Sequence, residues 1–186
     1  MLNERLATLV VALSAVLSQA QASTLQLTNT AWHAFDVSPA TAVSGGQEWI
    51  DIGNGSALDF SFTLTSPTWV TVVDGGFSGD RFQVFDAGRS LGSTSVAPNS
   101  YPDSVGLNFD AALASGTYST ASFLLAAGQH DLTGLLVQSA LDASNREVNA
   151  TVGAVRLDPV PLPATAALLL SGSGLLALLA RRRRAV

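Results

Sequence analysis

The sequence predicts an all-β fold, a single β-sandwich or jelly-roll ectodomain placed between two apolar chain ends. In the segment 58–64, leucine or phenylalanine alternates with aspartate, serine or threonine, which is the pattern of a strand with one buried face. Turn residues that include glycine interrupt such segments at short intervals. Residues 23–158 have a length that suits one hydrophobic core, so we expect one domain there.

Each predicted strand is a short run of branched and aromatic residues bounded by turn residues. Beyond 58–64, strands are predicted at 69–73, 81–85, 123–126, 131–137 and 153–157. Turns are predicted at 45–46, 53–55, 75–76 and 87–88. One short helix is predicted at 110–116, because Asp110 suits an N-cap and Gly116 suits a C-terminal cap. Many short strands joined by tight turns favour a sandwich or jelly roll.

The charge balance and the cysteine content narrow the function classes. All but one of the 14 acidic residues lie in the predicted ectodomain, which holds only four of the nine basic residues. Such a negative surface repels phosphate backbones, so no nucleic-acid partner is expected. The chain has no cysteine, so its stability is expected to come from packing or from a bound metal, without disulfides.

Residues 1–22 have the organisation of a secretory signal peptide. An apolar stretch at 6–17 follows Arg5, and Ala20 and Ala22 supply the small-x-small pattern that signal peptidase recognises. We expect cleavage directly after Ala22. An uncleaved signal anchor is the alternative, and either outcome carries the middle of the chain across the membrane.

The end of the chain, residues 159–186, predicts a membrane-spanning tail. A proline-stiffened break precedes an apolar run at 164–180, which as a helix at ~1.5 Å per residue reaches roughly 26 Å, enough for a thin bilayer. Four arginines follow the run: Arg181, Arg182, Arg183 and Arg184. Arginine is retained on the cytoplasmic side, so the domain is expected outside the cytoplasm. We expect an inner-membrane-anchored precursor and later display at the cell surface or outside the cell.

The order of these parts resembles the tail of the PEP-CTERM proteins of Gram-negative bacteria, which an exosortase processes on the way to the cell surface or matrix. The break that carries the resemblance consists of Val160, Pro161, Leu162, Pro163 and Ala164. The family's usual glutamate between the prolines is replaced here by Leu162. The resemblance implies an exosortase-like enzyme as a partner.

Two other interpretations of the tail remain open. Residues 162–166 are similar to the Leu-Pro-x-Thr-Gly signal of sortase substrates, with Ala166 in place of the glycine. Thr165 lies at the edge of the apolar run, where a transpeptidase in the aqueous phase would reach it poorly. A plain uncleaved anchor is the third interpretation, and all three place the domain outside the cytoplasm.

The strongest candidate for a ligand site lies in the stretch 73–95. That stretch resembles the pattern Val-x-Asp…Gly-Asp-x-Phe-x-Val-x-Asp-x-Gly of secreted bacterial β-sandwich modules, and residues 122–132 are similar to a late strand pair of the same modules. Asp74 and Asp80 flank a glycine loop, and Ca²⁺ takes carboxylate and carbonyl oxygens on such loops. In the alternative interpretation, the two aspartates only cap the turn by accepting backbone N–H bonds. Calcium is the one cofactor that the sequence suggests.

Catalytic motifs are scarce in this sequence. The two histidines are His33 and His130, and Asp131 directly follows His130, so the side chains of this pair would point to opposite faces of a strand. No nucleophile elbow, zinc-binding helix or phosphate-binding glycine loop occurs. We therefore expect a protein that is not an enzyme, with an extracellular hydrolase as the least favoured alternative.

Tryptophans on the surface would offer indole faces on which sugars stack. Trp32 and Trp49 lie near predicted turns and are the candidate glycan-binding residues, whereas Trp69 lies in a strand and is expected in the core. An extracellular polysaccharide would be the partner of such a site. The sequence thus predicts an exported surface or matrix protein with a structural or binding role, and a glycan- or calcium-dependent adhesion module is the alternative.

Overall fold

The computed structural model describes residues 22–27, 30–38, 40 and 47–160, which form two sheets packed face to face, a small third sheet and one helix. The elements in chain order are β1 (Ser23–Gln26), β2 (His33–Val37), β3 (Leu58–Leu64), β4 (Thr68–Asp74), β5 (Gly76–Phe77), β6 (Arg81–Asp86), β7 (Arg89–Ser93), β8 (Ser104–Gly106), α1 (Phe109–Ser115), β9 (Thr120–Leu125), β10 (Gly128–Gln138) and β11 (Thr151–Pro159). The predicted all-β sandwich is confirmed.

The first sheet has five strands in the order β1-β3-β10-β6-β7. Strand β3 buries every second residue, as its alternating sequence predicts. Strand β10 pairs antiparallel with both β3 and β6, so that Leu132 lies opposite Phe60 on one side and Asp86 on the other. Ala87 and Gly88 join β6 to β7 with φ values of 47° and 76°, the positive values that a tight hairpin turn requires.

The second sheet has four antiparallel strands in the order β2-β11-β4-β9. Strand β4 directs Val70 and Val72 into the core between the sheets. Val73, on the opposite face of the same strand, packs under the helix together with Phe109 and Ala112. One sheet face therefore meets the other sheet, and part of the other face is covered by α1.

Aromatic rings fill the space between the two sheets. Trp49 stacks on Phe35 with ring centroids 4.0 Å apart, and Phe82 meets both rings edge-on at 6.1 Å and 5.1 Å. Gly134 in β10 lies against Trp49, and a Cβ atom there would overlap the indole ring. Glycine within this strand is therefore a packing requirement.

The N-cap of the helix lies two residues earlier in sequence than predicted. This N-cap is Asn108, whose side chain accepts a hydrogen bond from the Ala111 N–H at 3.1 Å, so the expectation that Asp110 is the N-cap is wrong. Asp110 lies instead in the first turn, where its charge complements the helix dipole. Gly116 ends the helix in the left-handed conformation with φ 67°, as predicted.

Most of both predicted export signals falls outside the part of the chain that the structure describes. Only Ala22 of the signal peptide, and Pro159 and Val160 of the tail, lie within it. Among the described residues, no helix has the length and apolar character needed to cross a membrane.

Candidate functional site

The glycine loop that the sequence singles out connects β4 to β6 at one end of the sandwich. Strand β4 ends at Asp74, and β6 begins directly after Asp80. Gly76 and Gly79 have φ values of 58° and 133°, a backbone conformation that side chains with a Cβ atom rarely adopt. A Cβ atom at Gly79 would also overlap its neighbours. The glycines therefore allow a turn tight enough to hold both aspartates inside the protein.

Asp74 is fully buried, with 0% of its surface exposed. Its Oδ2 accepts a hydrogen bond from the Gly79 N–H at 3.3 Å, whereas its Oδ1 is buried and has no hydrogen-bond partner. Burial, followed by the negative charge of Asp80, raises the pKa of Asp74 to about 9. The Asp74 carboxyl is therefore protonated at neutral pH.

Asp80 is also buried, at 1% exposure, but it accepts a shorter backbone hydrogen bond than Asp74 does. Its Oδ1 accepts a hydrogen bond from the Ala140 N–H at 2.6 Å, and its side chain also bonds to Thr151. Burial raises the pKa of Asp80 to about 6, and these two hydrogen bonds limit the rise. At neutral pH, the pair therefore holds one proton, on Asp74, and one negative charge, on Asp80.

Buried hydroxyl groups next to the pair tie distant segments together. Ser78 Oγ lies 2.8 Å from the carbonyl oxygen of Pro98 and 2.7 Å from that of Thr117. Thr94 Oγ1 and Ser119 Oγ, both buried, lie 3.0 Å apart. The hydrogen bonds of Ser78 hold segments before and after α1 against the glycine loop, in addition to the apolar packing of Val73 against Phe109.

The geometry bears on both interpretations of the aspartate pair. The hydrogen bonds from Gly79 and Ala140 show that the two aspartates accept backbone N–H groups, as the capping interpretation expects. The unpartnered Oδ1 of Asp74 is the one oxygen that a cation could use without breaking a hydrogen bond. Calcium takes six to eight oxygens, and within the described ranges no third acidic or histidine side chain joins the pair. Calcium binding here stays a prediction.

The two tryptophans proposed to bind glycans lie in different surroundings. The expectation that Trp49 is exposed is wrong: it is 1% exposed and stacked in the core, so neither face of its indole can meet a sugar. Trp32 is half-buried, its Nε1 donates a hydrogen bond to Asp110 at 2.8 Å, and the Arg156 guanidinium lies 4.2 Å from its ring centroid. One face of Trp32 is therefore already occupied by a cation.

Trp69 was expected in the core, and this expectation is also wrong. Its indole is 39% exposed, because alternation along β4 directs Val70 inward and Trp69 to the outer face. The cross-strand partner of Trp69 on β9 is Leu124, which is 52% exposed. The strand was predicted correctly, but the choice of the buried face was not.

The structure also forms a histidine–aspartate pair that the sequence pattern did not indicate. His130 Nδ1 lies 2.8 Å from Asp86 Oδ2, and His130 Nε2 lies 3.0 Å from the carbonyl oxygen of Ala126. Asp86 ends β6 directly before the predicted turn at 87–88 and also accepts a hydrogen bond from the Asp131 N–H at 3.1 Å. The pairing of β10 with β6 brings His130 next to Asp86, which is distant in sequence, and not next to the side chain of its sequence neighbour Asp131.

Beyond β11, the comparison with protein families is informative. A family model described as the PEP-CTERM protein-sorting motif matches residues 159–184. The chain carries a PEP-CTERM sorting motif. The PEP-CTERM motif supports an exported protein of the cell envelope or surface, sorted by an exosortase-like enzyme.

The PEP-CTERM motif adjoins the sandwich with no linker. Its first matched residue, Pro159, is the last residue of β11, and Val160 after it is exposed. Ala22, the last residue of the predicted signal peptide, is exposed just before β1. The other predicted sorting residues lie outside the described residues: Ala20, Pro161, Leu162, Pro163, Ala164, Arg181, Arg182, Arg183 and Arg184.

Other comparisons add little to the PEP-CTERM match. The chain is similar at 8% identity to the pre-peptidase C-terminal domain of collagenase from Bacillus anthracis, solved by crystallography. The match covers 75% of this chain and 97% of that domain with a TM-score of 0.36, so the fold assignment rests on the strand pairing described above. No curated protein sequence matches the chain.

Proposed function

We propose that this PEP-CTERM protein is a structural or binding component of the cell surface or extracellular matrix and that it is not an enzyme. The observation that carries the proposal is the direct junction of β11 with the sorting motif. Strand β11 pairs on both sides within the second sheet, so the sandwich is the part that the signal delivers. Removal of residues 1–22 by signal peptidase and transient anchoring through 164–180 belong to the same proposal.

The surroundings of the two histidines support a role without catalysis. Both ring nitrogens of His130 face acceptors, Asp86 Oδ2 and the Ala126 carbonyl, so neither nitrogen is free to take a proton from a nucleophile. The Nε2 of His33 is buried and has no hydrogen-bond partner. Neither histidine therefore has the open geometry of a general base.

Export is tested with a reporter that is active only outside the cytoplasm. Alkaline phosphatase fused after Val160 leaves β11 whole, and we expect activity in intact cells. The matched control begins at Ser23, lacks the signal peptide and should be inactive. An inactive first fusion, together with fluorescence from a reporter that works only in the cytoplasm, would contradict export.

Processing is tested by mass spectrometry of the mature C-terminus. We expect a terminus near Pro163, because an exosortase-like enzyme would remove the tail there. Cleavage after Thr165 would indicate a sortase instead, and an intact Val186 would indicate a plain anchor. Replacing the four arginines with glutamine is the matched variant, and it should leave the precursor unprocessed.

The structural or binding role is tested in cells that lack the protein. We expect the wild-type protein in the surface or matrix fraction and a weaker matrix in the deletion strain, with rescue by the full chain but not by a chain without its sorting tail. Turnover of a glycan or ester by the purified protein would contradict a non-enzymatic role.

Calcium-dependent adhesion is the second candidate, and the unpartnered Oδ1 of Asp74 is the observation that favours it. If calcium binds there, it should raise the melting temperature of the wild type, and Asp74→Ala should abolish the rise.

A glycan partner is the related alternative. Binding of an extracellular polysaccharide that is lost on Trp32→Ala would support it, whereas Trp49 is buried and would report only on folding.

A further inference from the structure

Three side chains at the edge of the sandwich form an amphipathic surface, here named the exit patch: Trp69 on β4, Leu124 on β9 and Arg89 on β7. Trp69 and Leu124 are cross-strand partners, so their side chains share the outer face of the second sheet. Leu124 and Arg89 line one shallow groove of about 390 Å³. The exit patch is thus a continuous exposed surface that spans the edges of both sheets.

The exit patch lies beside the point where the chain leaves the sandwich. Trp69 pairs with Leu124 on one side and with Asp158 of β11 on the other. These three residues are in register on neighbouring strands, so Leu124 lies two strand spacings, ~10 Å, from β11. Four residue steps separate Val160 from the start of the apolar run at Ala164, and an extended chain covers at most ~14 Å in four steps.

We propose that the exit patch rests on the lipid headgroups of the membrane while the tail is anchored. The proposal depends on the proposed function, because the four residue steps between Val160 and Ala164 bring this corner to a bilayer only if the run 164–180 is inserted. Indole rings and the long side chain of arginine favour the membrane–water interface, and an adjacent aliphatic side chain adds apolar area. The occupant of the exit patch is therefore a phospholipid surface.

The charges around the exit patch are compatible with a lipid partner. Asp158 Oδ1 lies 2.8 Å from Nε of Arg156, a guanidinium that it shares with Asp110. Arg89 forms no ion pair with any residue in the described ranges, so its guanidinium is available to lipid phosphate. Asp86 also lines the groove, and its carboxylate lies 2.8 Å from His130 Nδ1.

Contact with lipid would fix the orientation of the sandwich before processing. The end of β11 would face the bilayer, and the Pro-x-Pro segment would stay at the membrane surface. The opposite end of the domain, which carries Asp74 and Val96, would point away from the membrane. Once the tail is removed, three side chains are too few to hold the domain, so the same patch permits release.

Single-cysteine spin labelling of the full chain in phospholipid nanodiscs tests this orientation, because the natural chain has no cysteine. Leu124→Cys reports on the exit patch. Val96→Cys is the matched control, since Val96 is an apolar residue at 72% exposure. It directly follows Ser95, whose N–H donates a hydrogen bond to the carbonyl oxygen of Thr120 at the far end of β9. Leu169→Cys reports on insertion of the apolar run. Circular dichroism checks that each labelled chain is folded.

The ratio of oxygen to nickel-chelate accessibility should be several-fold higher at position 124 than at position 96, because oxygen concentrates in lipid and the chelate in water. Equal ratios at the two positions, with position 169 in lipid, would overturn the exit patch and leave the anchor intact. If position 169 is also in water, the anchor itself fails. Protection of position 124 without lipid, by added polysaccharide or by self-association, would overturn the lipid assignment in favour of those partners.

Discussion

The buried pair of Asp74 and Asp80 makes the stability of the sandwich depend on pH in an unusual direction. A carboxyl with a raised pKa keeps its proton in the folded state at pH values where the unfolded chain has lost it. Unfolding then releases a proton, so the free energy of unfolding falls as pH rises. For Asp74 the fall extends from about pH 4, its ordinary pKa, to about pH 9, its pKa in the fold.

The size of the effect follows from the two pKa values. Each pH unit within the window costs about 1.4 kcal/mol per carboxyl. Between pH 5 and pH 7, Asp74 alone lowers the free energy of unfolding by about 3 kcal/mol, and Asp80 adds about 1 kcal/mol up to its pKa of about 6. For a domain of this size the melting temperature should fall by roughly 10 °C over this range.

The assay is thermal unfolding of residues 23–160 in the presence of a chelator, followed by tryptophan fluorescence. Asp74→Asn should flatten the pH dependence and melt at a higher temperature than the wild type at pH 8, because the amide carries no charge to bury. Asp103→Asn, at an exposed carboxylate in a loop near the same end, is the control and should keep the wild-type slope. A wild-type melting temperature that is constant or rises between pH 5 and pH 8 in chelator would refute the reasoning. A rise that occurs only with calcium would instead support a bound cation.

Three further outcomes are expected from chemical denaturation of the same fragment. Trp49→Ala should lower the free energy of unfolding by about 3–5 kcal/mol, whereas Trp69→Ala on the outer face should change it by less than about 1 kcal/mol; equal losses would contradict the burial described here. Gly134→Ala should destabilise by about 1–3 kcal/mol, because its Cβ would overlap the indole ring, and Trp49→Phe in the same chain should recover part of the loss. Asp86→Asn should cost about 2 kcal/mol, since it removes the charged acceptor of His130, and no loss would mean that the pair is not formed.

Local sequence patterns were sufficient for the strands with regular alternation. Strands β3, β6 and β10 bury alternate residues along much of their length and β4 buries most of both faces, so their composition reveals them. Strands β1, β2, β5, β7 and β8 were not predicted, and the edge strands β1 and β7 are each half exposed with little apolar content. Edge strands depend on a neighbour for their hydrogen bonds, and a single segment does not show that neighbour.

The candidate site was predicted in position but not in environment. The Asp-Gly-Gly sequence correctly indicated a tight loop with Asp74 at its start. That the loop folds inward became evident only from the contacts of Asp80 with Ala140 and Thr151, which lie in segments distant in sequence. The same limitation applies to Trp49, which is buried because its neighbour Glu48 pairs with Leu135 of β10.

Export and the all-β class were determined by the sequence alone, because both depend on contiguous segments. A run of apolar residues, a cluster of arginines and the alternation of apolar with polar residues each indicate the same local property in any fold of the rest of the chain. Tertiary structure alone decided which tryptophan faces water, that Asp74 is buried with a proton and that His130 pairs with Asp86. The reason is that burial and side-chain pairing depend on strand register between distant segments, and a shift of one residue moves every side chain to the opposite face.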